Sequence, residues 1–183
     1  MTLRIEIDSE SLDELSYIIN KNVRSILGNT KLVGAANIDN WESNLTEEAL
    51  LSQLSGDNQV SSNDNLVNFD HLNISNKMIH VIKRIFPENR VEVSGFFHYP
   101  KTGYMSWHTN SDVPCKRLYI TWAKESNSSF FRYYQDNNII TDYDDKGLTL
   151  RLFDIKDKPP YLWHCVGSNT DRISFGFRIR WFI

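Results

Sequence analysis

The sequence predicts a mainly β fold with some α-helix, either a β-sandwich or a jelly-roll barrel, with helices packed on one outer face. About seven short runs rich in β-branched and aromatic residues follow one another from residue 91 onward, separated by turn residues. Aromatic residues concentrate after Phe96. Two amphipathic patterns of helical period precede these runs. Helices ahead of a β-rich half bury their apolar stripes against the sheet.

The first amphipathic pattern predicts a helix over residues 11–27. Ser11 and Glu14 have the spacing of a capping box, and Gly28 stands where a helix would stop. A short helix is predicted over Glu47–Leu54, and residues 55–64 form a polar loop. The second amphipathic helix runs from about Ser75 to Phe86, where Pro87 ends it.

The second half of the chain predicts strands and turns. The predicted strands are Val91–Tyr99, Leu118–Ala123, Phe130–Gln135, Leu148–Asp154, Tyr161–Val166 and Arg172–Phe182. The turns lie at Pro100–Gly103 and Pro159–Pro160.

The length and composition limit the classes of protein to which this chain can belong. A chain of 183 residues predicts a single domain over residues 1–183, with a helical supporting region at 1–90 and a core at 91–183. With 40% hydrophobic and 13% aromatic residues it is not a mostly disordered chain, and no apolar run has the length of a membrane span. The acidic start lacks a signal-peptide pattern, and two cysteines make no disulfide framework, so we expect a cytoplasmic protein. The net charge of −3 disfavours nucleic acid as a partner without excluding it.

Two histidines lie in suggestive surroundings. His108 is two residues from Asn110, so on an extended segment both side chains face the same side. His164 follows Trp163 within the predicted strand Tyr161–Val166. Imidazole nitrogens together with an oxygen ligand form the donor set of non-haem Fe(II) sites, which leave open positions for other ligands.

The last predicted strand carries a candidate anion site. Alternation places Arg172, Ser174, Gly176 and Arg178 on one face and apolar residues on the other. Two arginines inside a barrel are costly unless an anion meets them. Because a guanidinium binds a carboxylate through two parallel hydrogen bonds, we expect a carboxylate ligand.

In order and spacing, the segment from Tyr99 to Arg178 resembles the iron(II)- and 2-oxoglutarate-dependent dioxygenases. The order His108, Asn110, His164, Arg172 is similar to that family's His-x-Asp/Glu pair, distant His and Arg on the last core strand. The stretch from Tyr99 to His108 is similar to the tyrosine-rich strand of the prolyl hydroxylases. The Arg172-x-Ser174 pattern is similar to that of the cephalosporin-type oxygenases, and the spacing of Arg172 and Arg178 is similar to that of nucleic-acid demethylases.

The resemblance implies a double-stranded β-helix, or jelly roll, that hydroxylates or otherwise oxidises a C–H bond while 2-oxoglutarate is decarboxylated to succinate. It implies Fe(II) held by His108, Asn110 and His164. It implies 2-oxoglutarate and dioxygen as co-substrates, with Arg172 on the distal carboxylate. Further hydrogen bonds to 2-oxoglutarate would come from Ser174 and from Tyr99 or Tyr119, with Arg178 as an additional cofactor contact. Neither the substrate to be oxidised nor the oligomeric state follows from the sequence.

Asn110 departs from the family pattern, which has a carboxylate there. An amide oxygen donates less charge to a metal, so Fe(II) affinity should be lower. Three interpretations stay open: a His/Asn/His site, a site that uses Asp112 if its loop turns back, or a non-catalytic jelly-roll binding or structural module without iron. Halogenation at a ligand vacancy is a fourth, although Asn is larger than the residues that usually create such a vacancy.

Overall fold

The computed structural model describes residues 4–29, 38–54, 64–69 and 72–181. Three α-helices precede or interrupt the early strands: α1 (Ser9–Asn29), α2 (Glu47–Leu54) and α3 (Leu72–Ile85), with a 3₁₀ helix at Trp41–Leu45. The strands are β1 (Asp64–Asn65), β2 (Val67–Asn68), β3 (Asn89–Tyr99), β4 (Gly103–His108), β5 (Cys115–Ala123), β6 (Ser129–Gln135), β7 (Asn138–Tyr143), β8 (Gly147–Ile155), β9 (His164–Ser168) and β10 (Arg172–Trp181).

The strands form two antiparallel five-stranded sheets. Sheet A has the order β2-β3-β10-β5-β8, and sheet B has the order β1-β4-β9-β6-β7. From β3 to β10 the chain passes back and forth between the sheets, apart from the β6–β7 hairpin within sheet B. This connectivity is a jelly roll, and it confirms the fold class predicted from the sequence.

Apolar side chains pack in three layers. Helices α1 and α3 cover the outer face of sheet A, where residues such as Ile19 and Val81 meet Phe175 and Phe177. The 3₁₀ helix and α2 cover the outer face of sheet B, so the expectation that helices cover a single outer face is wrong. The space between the sheets holds a smaller aromatic and aliphatic cluster, which leaves room there for polar side chains.

Most predicted elements are present, and their ends differ for local reasons. Helix α2 has the predicted bounds. Helix α1 starts at Ser9, before the predicted capping box, because the carboxylate of Asp8 accepts a hydrogen bond from the Ser11 amide at 2.8 Å. Strand β9 starts at His164 rather than at Tyr161. Strands β4 and β7 were not predicted, and β4 carries His108.

The first half of the chain is not helical throughout. Strands β1 and β2 add one edge strand to each sheet, and Arg4 forms an isolated bridge to Arg151 of β8. Most of the predicted polar loop lies outside the described residues. The division into a supporting region and a core stays a prediction. In the part of the chain that the structure describes, no helix is both long and apolar enough to cross a membrane.

Candidate metal and carboxylate site

His108 and His164 lie side by side inside the barrel. They are paired residues of neighbouring strands, His108 at the end of β4 and His164 at the start of β9. Their ring centroids are 4.1 Å apart, and both residues are buried. Phe131 stacks on the His164 ring at 5.2 Å and restricts its orientation. Register therefore places two imidazoles at one point of sheet B.

Backbone carbonyls fix the tautomer of both rings. Nδ1 of His108 lies 2.7 Å from the Ser106 carbonyl oxygen, and Nδ1 of His164 lies 2.9 Å from the Leu162 carbonyl oxygen. A carbonyl only accepts, so each Nδ1 donates a hydrogen and each Nε2 keeps its lone pair. A second hydrogen bond of this kind orients imidazoles that ligate metals.

Both imidazoles are neutral at physiological pH. The pKa of His108 is lowered to about 4, mainly by burial, with a smaller contribution from the nearby Arg117 guanidinium and with the hydrogen bond to Ser106 opposing the shift. Burial also lowers the pKa of His164 well below its usual range, and His108 beside it acts in the same direction. Neutral imidazole is the form that binds metal ions.

Asn110 completes a three-residue group, although not through the predicted strand geometry. It lies beyond β4 in a left-handed conformation, with φ of 56°, so the argument from an extended segment fails. Its side chain nevertheless turns back to the site, where Nδ2 lies 3.1 Å from Nε2 of His164, and it also hydrogen-bonds Tyr119. Rotation of this side-chain amide by 180° would present its oxygen to the imidazoles instead.

Asp112 is not part of this group. The residue is exposed and lies outside the lining of the cavity that contains the histidines. The loop after Asn110 therefore does not return its carboxylate to the imidazoles. Within the described ranges, no cluster of three or more His, Cys, Asp or Glu side chains is placed to hold a metal, so an amide is the third protein donor that this site offers.

A cavity of about 110 Å³ opens on the two imidazoles. Its polar lining residues are Ser94, Tyr99, His108, Asn110, Arg117, Tyr119, His164 and Ser174. Gly176 lies on the floor, where a Cβ atom would be 2.6 Å from Ser94 Oγ and 3.3 Å from Tyr119 Cε1. The absence of a side chain at Gly176 thus keeps space open in the cavity. Its size suits a small ligand, since drug-sized pockets measure roughly 300–1,000 Å³.

Arg172 lies between the sheets but outside the cavity lining. Its Nε donates to Asp144 at 2.9 Å, and Nη2 donates to Thr121 Oγ1 at 3.1 Å. Asp144 also accepts from Arg151 at 2.5 Å and from Ser129 at 2.6 Å. The Arg172 guanidinium packs over the Tyr99 ring at 4.9 Å, and its buried Nη1 has no partner among the described residues. The structure thus supplies this arginine with a carboxylate from its own chain.

Arg117 is the cation that does line the cavity, and the sequence analysis did not single it out. It is buried on β5, in the paired position opposite Arg178 on β10. Alternation along β5 places Arg117 on the same face as Tyr119. Once the pairing of β5 with β10 is known, this alternation identifies Arg117 as a candidate residue of the site. Of the predicted cofactor contacts, Ser174, Tyr99 and Tyr119 reach the cavity, whereas Arg172 and Arg178 do not line it.

A larger groove is lined in part by the residues that precede His164 in the chain. It has a volume of about 860 Å³ and lies between the β6–β7 hairpin and the segment that leads into β9. Tyr134, Tyr161, Pro159 and Pro160 give it an aromatic and proline-rich wall. Leu162 and Trp163 connect this wall directly to His164.

No protein-family model and no curated protein matches the chain. Among solved structures, a prolyl-4-hydroxylase from Pseudomonas putida is similar, with 14% identity and a TM-score of 0.49 over 92% of this chain and 87% of that one. A 2OG-Fe(II) oxygenase-family protein from Burkholderia pseudomallei has 9% identity and a TM-score of 0.45 over 98% and 95%. At these values neither likeness assigns an activity or a ligand to this chain.

Proposed function

We propose that this protein is an Fe(II)- and 2-oxoglutarate-dependent oxygenase that oxidises a C–H bond of a substrate. The observation that carries the proposal is the pair of buried neutral imidazoles, each with Nδ1 donating to a carbonyl and with the Nε2 lone pair left for a metal once the Asn110 amide, whose Nδ2 lies 3.1 Å from Nε2 of His164, has turned. A jelly roll gains no stability from two desolvated imidazoles placed together, so a bound cation is the simplest reason for them.

The residues present fit a divalent metal. His108 and His164 would supply two imidazole nitrogens, and Asn110 would supply an amide oxygen after rotation of its side chain. This donor set is neutral, so the metal keeps its full charge and attracts anionic ligands. Fe(II) bound here would supply the oxygen chemistry, and the chain's own residues position and shield the reactants.

The residues proposed to bind 2-oxoglutarate lie in two regions of the barrel, the cavity and the interior around Arg172. Ser174 and Tyr99 line the cavity, and the unpaired Nη1 of Arg172 is a buried donor that a distal carboxylate would satisfy. Asp144 already neutralises much of the charge of Arg172, which weakens its role as an anchor. We retain Ser174, Tyr99, Tyr119, Arg172 and Arg178 as proposed contacts of the co-substrate. We also propose that the protein is located in the cytoplasm.

The protein's part in catalysis follows from burial. Phe131 and Phe153 flank His164 and keep water from the imidazoles, and Tyr119 holds Asn110. The groove beside His164 has room for a substrate larger than the cavity admits. Substrate positioned there would present a C–H bond to the metal edge of the site.

Anaerobic titration tests the proposal. We expect Fe(II) and 2-oxoglutarate together to give a weak visible charge-transfer band and to raise the unfolding midpoint. On admission of oxygen, 2-oxoglutarate should be converted slowly to succinate even without a substrate. His108→Ala should abolish all three signals, whereas His80→Ala, which changes an exposed histidine of α3, should preserve them. Absence of all three in the unaltered protein contradicts the proposal.

A non-catalytic jelly-roll module is the second candidate, and two observations favour it. Asn110 stands where a carboxylate would bind iron more tightly. Asp144 already accepts a hydrogen bond from the Arg172 guanidinium, the group that would bind the distal carboxylate of 2-oxoglutarate. A module of this kind binds neither metal nor 2-oxoglutarate, so the titration separates the two candidates.

A further inference from the structure

The Arg117 guanidinium is a buried cation without a counter-ion. Arg117 is 3% exposed, and within the described residues it forms no ion pair, while its buried Nε lacks a hydrogen-bond acceptor. A buried charged donor without an acceptor destabilises the fold when nothing occupies the site. The structure therefore contains a strong anion-binding group that its own side chains do not use.

Arg178, the residue paired with Arg117, adds a second positive charge that favours a bound anion. The two residues are directly paired between β5 and β10, and the Arg178 Nε is also buried, with no hydrogen-bond partner in the part of the chain that the structure describes. Like charges directly opposite each other on a sheet destabilise it. Glu92 is the residue paired with Arg178 on the other side, but its carboxylate oxygens contact Arg90 at 2.8 Å and Arg180 at 3.8 Å.

The cavity offers no negative charge to Arg117. Its lining contains neither Asp nor Glu. Because Asn110 stands in place of a carboxylate, the proposed metal site adds no negative charge either. Arg117 is thus a cation in a lining that has no acidic side chain.

Arg117 is distinct from the Arg172 region. The paired rows of β5 and β10 run from Ala123–Arg172 through Thr121–Ser174 and Tyr119–Gly176 to Arg117–Arg178. Arg178 lies six residue steps beyond Arg172 along the strand, which is about 20 Å along the backbone. Arg172 has Asp144 as a counter-ion, whereas Arg117 faces the cavity with its charge uncompensated.

We propose that Arg117, backed by Arg178, is a carboxylate-binding site in the cavity of the two imidazoles. A guanidinium fork binds a planar carboxylate through two hydrogen bonds, and the small cavity admits a small acid. The carboxylate comes either from 2-oxoglutarate or from the molecule that is oxidised. The site lies in the cavity of the proposed oxygenase, and only the choice between these two sources rests on that proposed function.

The test uses the metal-free protein with acetate and 2-oxoglutarate as probes, at constant ionic strength against chloride. Both carboxylates should raise the unfolding midpoint of the unaltered protein more than chloride does. Arg117→Gln should weaken the binding of at least one carboxylate by about tenfold or more. Arg180→Gln, which alters a half-exposed arginine of the neighbouring strand β10, should leave binding unchanged. Arg117→Lys keeps the positive charge but lacks the two parallel donors of a guanidinium. Its affinity for the carboxylates should therefore fall between those of the unaltered protein and of Arg117→Gln.

The two probes distinguish the sources. Loss of 2-oxoglutarate binding in Arg117→Gln assigns the site to the co-substrate, and loss of acetate binding alone assigns it to the molecule that is oxidised. The ligand-free Arg117→Gln protein should unfold at or above the unaltered midpoint, because an unpaired buried charge has been removed. The proposal is overturned if Arg117→Gln binds both carboxylates normally, if neither surpasses chloride, or if the ligand-free variant is strongly destabilised. Absence of oxygenase turnover in the unaltered protein would contradict the proposed function while leaving this binding test decisive.

Discussion

Replacing Asp144 by asparagine should destabilise the barrel strongly. The Asp144 carboxylate is fully buried and holds Arg151 at 2.5 Å and Arg172 at 2.9 Å. Asp144→Asn keeps the size of the side chain but leaves two buried guanidinium groups without their shared counter-charge. Breaking a buried pair in this way costs about 3–5 kcal/mol. In a domain of this length that corresponds to a fall of roughly 6–20 °C in the unfolding midpoint.

The same network gives a pH dependence whose sign follows from the pKa of Asp144. Burial alone would raise this pKa, but Arg172 and Arg151 outweigh it and hold the pKa at about 2, below the ordinary value of 3.8. The carboxylate therefore contributes stability above the unfolded-state pKa and loses it as pH falls through 3.8 toward 2. At about 1.4 kcal/mol per pKa unit, protonation removes on the order of 2 kcal/mol.

Chemical denaturation at pH 7 and at pH 3 measures both effects. Asp145→Asn is the matched control, because that neighbouring carboxylate is 60% exposed and its ion-pair partner among the described residues is the surface residue Arg4. We expect Asp145→Asn to change the free energy of unfolding by less than about 1 kcal/mol. The reasoning is refuted if Asp144→Asn is as stable as Asp145→Asn at pH 7, or if its stability falls as steeply at low pH as that of the unaltered protein. A destabilised Asp144→Asn also implies that Arg172→Ala perturbs the fold and not only ligand binding.

Three further substitutions test the site and its surroundings. Asn110→Asp should tighten Mn(II) binding, measured by titration, by about tenfold because a carboxylate adds charge, whereas Asp112→Asn should not alter it. Gly176→Ala should weaken 2-oxoglutarate binding by about tenfold, since its methyl group would lie 2.6 Å from a hydroxyl oxygen of the cavity; retained affinity would exclude the cavity as the binding site. Gly167→Ala should cost about 1–3 kcal/mol of stability, because its Cβ would lie 2.5 Å from an aromatic carbon, whereas Gly28→Ala, in open space, should not destabilise.

The sequence predicted the parts of the fold that depend on local pattern. Alternation along β10 placed Ser174 and Gly176 on the inner face, and both line the cavity. Periodicity placed α1 and α3, whose apolar stripes pack against the outer face of sheet A. Strand β4 was missed because it has six residues and several of them are polar. Its last residue is nevertheless the first histidine of the site.

The sequence could not predict contacts that depend on distant pairing. Asp144 follows β7 on sheet B and reaches Arg172 on sheet A, so the residues near Arg172 in the sequence did not indicate Asp144 as its counter-ion. Arg117 became a candidate only when β5 was found beside β10. Asn110 reached the imidazoles through a left-handed residue that the extended-strand argument did not include.

A crystal structure of the Mn(II)-loaded protein with 2-oxoglutarate, read from the anomalous difference map, tests the metal site most directly. We expect a single strong peak within bonding distance of Nε2 of both His108 and His164, with Asn110 turned so that its oxygen faces the ion. The peak should vanish in crystals of His108→Ala. A peak that contacts neither imidazole, or none at a metal concentration that saturates binding in solution, would contradict the proposed oxygenase.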